Sequence, residues 1–228
     1  MNQEKNKEMK KKMIEWVIII VLAMLIITIK KFIFNLNGFE ECTKDCFEKM
    51  QQAEELMLKR KPGEGYKNYV VVVDGEIVGK MKGKVIRSFG NAMILYSPDK
   101  KEIWLQEKGR KKIPAEILNV KYDRKSDVMK KNEKVGVMYE RIKLGKTAIE
   151  LRDEKDKEKA LLKGKMIKLT SGFVITDPKE KITFAEAKKR WNPLIEDTYD
   201  VTIYDSSVVS VEELVLLLGV ADEENDEE

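Results

Sequence analysis

The hydrophobic pattern changes period twice along the chain. From Met13 to Ile29 it reads MIEWVIIIVLAMLIITI, with Glu15 the only charge in the run. Such a helix is about 25 Å long, against a hydrocarbon core of about 30 Å. Phe32, Ile33, Phe34 and Leu36 extend the apolar surface, Lys30 and Lys31 can snorkel, and Trp16 suits an interface. The pattern predicts a transmembrane signal anchor over 13–34 behind a basic tail over 1–12. No small-x-small cleavage site follows the run, and Cys42 lies too far on for a lipoprotein signal. Lys5, Lys7, Lys10, Lys11 and Lys12 before the run outnumber Lys30, Lys31 and Lys44 after it. The positive-inside bias then predicts a single-pass cell-membrane protein with a cytoplasmic tail, an extracytoplasmic C-terminal region and the lipid bilayer as a partner.

A second helical period runs over 38–61, where Phe39, Cys42, Cys46, Met50, Ala53 and Met57 recur at steps of three and four. This predicts a juxtamembrane stalk helix before Pro62-Gly63, with that stripe packed on its own domain or forming a dimer seam with a second copy. On a helix, Cβ atoms four residues apart lie about 5–6 Å from one another, too far for a disulfide without local unwinding. Interchain Cys42–Cys42 or Cys46–Cys46 bridges across a seam are the easier expectation. The start KKKMIEW resembles that of type IV pilins, but the small residue after which such leaders are cut is missing, so no family follows from it.

From Tyr66 the period becomes two. Asp74-Gly75 divides YVVVV from EIVGKMK as a hairpin turn would. A meander follows, with turns at Gly90-Asn91, Ser97-Pro98-Asp99 and Gly109. Two segments are alike: GKVIRSFGNAMILYSPDKKEI from Gly83 and GKMIKLTSGFVITDPKEKI from Gly164. They predict two related β modules, at 66–145 and 146–219. In the second, TFAEAKKRW opens like a capping box and predicts a short helix, while 123–134 and 153–163 read as polar loops or helix. Ser210, Glu213 and Gly219 frame a C-terminal helix with one apolar face at Val211, Leu214, Val215 and Leu218. The acids after it predict a disordered tail over 220–228. The expected class is α+β: anchor, stalk helix, two β modules and a short C-terminal helix.

Composition narrows the chemistry. Charged residues make up 37% of 228 residues, the net charge is +4, and there are two Cys and no His. Without His there is no Ser-His-Asp constellation and no imidazole metal site, and no cofactor, metal or catalytic residue is predicted. Leu144-Gly145-Lys146-Thr147 looks like the end of a phosphate loop, but Glu140 stands where its first Gly is needed. Ser88, Ser97 and Ser171 have lysines around them in a chain where lysine is everywhere, and a carboxylate pair such as Asp197 and Asp200 says as little in a chain with 40 acids. Lys80, Lys82 and Lys84, with Lys108, Arg110, Lys111 and Lys112, form basic stretches near Trp104 and Tyr96 and are candidates for polyanion contact. The expected function is a non-enzymatic binding or assembly protein with protein partners. The alternatives are a membrane-tethered Ser-Lys hydrolase and, less expected, a nucleic-acid-binding membrane protein.

Overall fold

The computed structural model describes residues 12–26, 39–61, 68–83, 93–113, 124–143, 146–167, 170–190 and 198–225. The chain divides into two units, Met1–Gly38 and Phe39–Glu228. In the first, residues 12–26 form a helix, α1, with apolar side chains exposed on every face. It corrects the expected anchor. About fifteen helical residues rise roughly 22 Å, short of a hydrocarbon core. Among the described residues no helix is long and apolar enough to cross a membrane. The rest of the expected span, from Ile27 to Phe34, lies outside the described residues. The single-pass topology and cell-membrane location inferred from an anchor are withdrawn with it.

The second unit is a closed barrel. Its elements are β1 (Glu40–Glu41), α2 (Cys46–Gln51), β2 (Glu55–Arg60), β3 (Asn68–Val73), β4 (Glu76–Gly83), β5 (Met93–Tyr96), β6 (Ile103–Lys112), β7 (Arg124–Lys130), β8 (Glu133–Lys143), β9 (Lys146–Asp153), β10 (Glu158–Ile167), β11 (Thr170–Thr176), β12 (Thr183–Arg190), β13 (Thr198–Ile203) and α3 (Val211–Asn225). Strands β2 to β13 pair antiparallel with their sequence neighbours, and β13 closes on β2. The short β1 adds in parallel to the start of β4, which β5 leaves uncovered. The expected α+β arrangement is thus replaced by a twelve-stranded antiparallel barrel. The stalk over 38–61 is not one helix: its described part is strand, helical turn and strand. TFAEAKKRW supplies β12 rather than a helix, and the polar stretches at 123–134 and 153–163 supply all of β7, the start of β8 and the start of β10. Local capping and charge signals lost to strand pairing on both sides.

The two similar segments do not build separate modules. They fall six strands apart in the one barrel, on β4–β6 and β10–β12, in equivalent registers. Gly83 opposes Met93 as Gly164 opposes Phe173, and Ile94 opposes Gln106 as Val174 opposes Glu186. Both sheets slip at the same place, after Leu95 and after Ile175.

The lumen is filled by α3. Every residue from Val211 to Asp222 is buried, as expected of a helix apolar nearly all round. It contacts β4, β5, β6 and β9, and its polar side chains reach β3, β7, β10 and β13, so barrel wall surrounds it. The C-terminal helix therefore has no free face, and it runs past Gly219 to Asn225 instead of ending in a tail at 220. Gly219 is no cap. A Cβ there would lie 2.7 Å from Met81 Cε, so the missing side chain lets helix and wall approach.

Candidate functional site: the two ends of a plugged barrel

Helix α3 enters at the end of the barrel that carries the short turns between β3 and β4, β5 and β6, β7 and β8, β9 and β10, and β11 and β12. There the Ser210 N–H donates to Glu213 (2.9 Å), the reciprocal half of the expected capping box. Glu213 also takes the Lys159 ammonium (2.7 Å). Glu212 accepts from Lys130 (3.0 Å) and from Gln51 of α2. Burial pushes the Glu212 carboxyl up, but the Lys130 hydrogen bond and charge outweigh it and leave it below its ordinary value. Helix α2 covers this entrance, with Met50 fully buried and Phe47 edge-on to Trp104 at 5.0 Å.

The turn end is stitched by its own polar groups. Asp177 accepts backbone N–H groups from Lys181 (2.5 Å) and Ile182 (2.7 Å). Asp153 accepts those of Lys155 and Lys157, both at 2.9 Å. Ser97 accepts from Glu102 N–H (3.0 Å) and donates to Asp99 (2.6 Å). Lys100, Asp156 and Glu180 take the left-handed conformation at the matching position of each turn. These bonds, foremost the Ser97 hydroxyl on Asp99, hold Asp99 at about 2. The Lys157 and Ile182 N–H groups likewise lower Asp153 and Asp177. The Ser97 hydroxyl is thus engaged in its own turn through both Asp99 and Glu102. Asp200 pairs with Arg190 at 2.5 Å. Ser88, Asp197 and the side chain of Ser171 lie outside the described residues.

Helix α3 leaves at the opposite end. Asp222 is buried and accepts the hydroxyls of Tyr69 (2.6 Å) and Tyr199, both near the start of their strands. Burial first, then the Asp222 charge, raises the Tyr69 hydroxyl well above its ordinary value and keeps it a donor. Across the barrel, Arg110 grips Glu107 with two bonds of 2.7 Å and lies 3.2 Å from Glu140. The three side chains are 3%, 0% and 1% exposed. Gly109, at φ 72, makes this possible. It sits where β6 slips against β7 between Lys108 and Lys111, and the bulge turns Arg110 inward. Arg110 is therefore a lumen residue and not a polyanion contact.

Around this exit the wall is basic. All six strands that run toward it, β2, β4, β6, β8, β10 and β12, carry at least two Lys or Arg in their last five residues. Register then sets like charges opposite each other: Lys111 against Lys125, Lys112 against Arg124, and Lys143 against Lys146. Lys108, Lys111 and Lys125 are exposed. Of the other candidates, Lys82 is exposed on β4, Lys80 pairs with Glu41, and Lys84 and the side chain of Lys112 lie outside what is described. Trp104 and Tyr96 sit toward the turn end, not among these lysines. No family model, curated protein or solved structure matches the chain. The sequence reading missed Lys125, Lys143, Lys146 and Lys188. The recurrence of Lys or Arg at the end of every second strand was the signal for Lys143 and Lys188, whereas Lys125 and Lys146 stand at strand starts and join them only through pairing.

The expected dimer seam is dispersed. Cys42 and Cys46 are bonded to each other, with Cα atoms 5.7 Å apart. The helical geometry that argued against this pair does not apply. Helix α2 begins only at Cys46, after Asp45 in the left-handed conformation, so Cys42 lies in the turn before it. Phe39 lies against Lys59, Met50 is in the core, Ala53 follows α2, and Met57 is on β2.

Proposed function

We propose that the chain is a non-catalytic binding protein whose barrel is a rigid scaffold and whose working surface is the basic end, which takes a polyanion by charge density. The observation that carries this reading is the set of like-charged cross-strand pairs at one end. Directly opposed like charges destabilise a sheet, so their concentration around one exit points to a use outside the fold. A lumen filled by α3 argues against a ligand carrier, the common use of a closed barrel. Lysine predominates over arginine here, which suits diffuse attraction better than bidentate recognition of one group. The described aromatic beside these lysines, Tyr139, is half-buried with Lys125 and Arg152 against its ring, which leaves it a poor stacking platform and disfavours single-stranded nucleic acid.

The test is fluorescence anisotropy with a labelled, size-defined heparin oligosaccharide across a salt series, with neutral dextran as control. Affinity is expected to fall linearly on a log–log plot against salt, with a slope of roughly four if about five charges are neutralised. Lys111→Glu combined with Lys125→Glu should lower both affinity and slope. Absence of binding at low salt, or binding indifferent to salt, would overturn the reading.

A further inference from the structure

Helix α3 also sets the end of the barrel at which the acidic run of the sequence begins. It enters at the turn end, is fixed near the other end by Tyr69 and Tyr199 on Asp222, and continues to Asn225. The chain from Asp222 reads Asp-Glu-Glu-Asn-Asp-Glu-Glu, without a basic residue. Helix α3 thus runs toward the end ringed by lysine and arginine, and the strongest run of negative charge in the sequence begins on its last turn. Twelve strands spaced about 4.8 Å apart and tilted about 40° enclose a wall with a radius of about 12 Å. Three residues beyond Asn225 extend up to about 10 Å, before the length of a glutamate side chain is added. The wall cations are within reach of the tail.

We propose that the acids Glu223, Glu224, Asp226, Glu227 and Glu228 are an intramolecular competitor for the basic end, so that a polyanion must displace them to bind. The inference rests on the polyanion reading above and adds its regulation. Because Asp222 is held by two hydroxyls, the competitor is tethered, and its effective concentration at the lysines is set by a few residues of chain. Competition of this kind is electrostatic, strongest at low salt and screened as salt rises.

The test compares three full-length proteins by anisotropy with the same heparin probe. One is wild type. The second carries Glu223→Gln, Glu224→Gln, Asp226→Asn, Glu227→Gln and Glu228→Gln. The third carries an equal charge change at the turn end: Glu48→Gln, Asp74→Asn, Glu102→Gln, Glu133→Gln and Glu154→Gln. The tail variant should bind roughly tenfold more tightly than wild type at low salt, with the gap closing at high salt. The turn-end variant should stay within about twofold at roughly 0.1 M salt, where a Debye length of about 10 Å screens charges at the far end of the barrel. Equal gains in both variants would mean bulk charge alone and would overturn the competition. So would an unchanged tail variant in a series where wild type binds and Lys111→Glu weakens binding. Failure of wild type and tail variant alike to bind at low salt would instead sink the polyanion reading itself.

Discussion

The two ends of the barrel use charge in opposite ways. At the turn end the carboxylates of Asp153 and Asp177 accept N–H groups of their own turns, and Glu212 and Glu213 neutralise lysines that steady the entrance of α3. Charge there serves the fold. At the other end the register sets Lys111 opposite Lys125 and Lys112 opposite Arg124, like-charge pairings that sheets disfavour, with Lys125 also held over the Tyr139 ring. The clearest exception is Arg110, which a glycine bulge takes out of the basic ring and commits to two buried carboxylates, and Lys80 with Glu41 and Arg190 with Asp200 are paired there as well. The like-charged pairs that register leaves at this end mark the surface proposed for a partner.

The largest expected effect tests the exception. Arg110→Ala leaves Glu107 and Glu140 buried without their guanidinium, and should lower unfolding stability by about 3–5 kcal/mol in urea titrations. A small loss would mean that the lumen is wetter than its burial indicates. Asp177→Ala should cost less but remain measurable as a lower Tm, with faster amide exchange confined to Lys179–Ile182. Acid should act on the same end. Asp99, Asp153 and Asp177 have folded values below their unfolded ones, so their stabilisation is complete above about pH 4 and is lost as pH falls toward 2. Amide exchange followed down this range should rise first in the three turns and leave β6 and β7 near the basic end unaffected. Uniform exchange at both ends would break the contrast. The smallest expected effect belongs to Arg190→Ala. Arg190 aligns with Arg110 six strands away, but without a bulge it stays on the outer surface, paired with Asp200. Its loss should cost less than about 1 kcal/mol.

Arg110 and Arg190 also show what the sequence could and could not reveal. The alternation of Tyr66–Gly83, the Asp74-Gly75 turn and the likeness of the segments from Gly83 and Gly164 were legible, because period, turn chemistry and spacing are local properties. That IWLQEKGRKK and TFAEAKKR are equivalent strands was not, because the second carries a helix-like start and only pairing on both edges makes it β12. The burial of α3 on all sides was hidden as well. Its heptad-like face at Val211, Leu214, Val215 and Leu218 is real, but Leu216, Leu217 and Val220 on the other sides are equally buried. Only closure of the barrel supplies the second half of their environment. The basic end was half legible: Lys82, Lys108 and Lys111 stood out as a cluster in sequence. Lys125, Lys143 and Lys188 join them through strand direction, which no short motif encodes.

The central claim is that the basic end trades stability for binding, and one variant measures both sides of it. Lys111→Glu turns the Lys111–Lys125 opposition into an opposite-charge pair. Unfolding stability should rise by roughly 0.2–1 kcal/mol, while affinity for the heparin probe at low salt falls severalfold. A variant that loses stability, or that gains it with affinity unchanged, would contradict the claim.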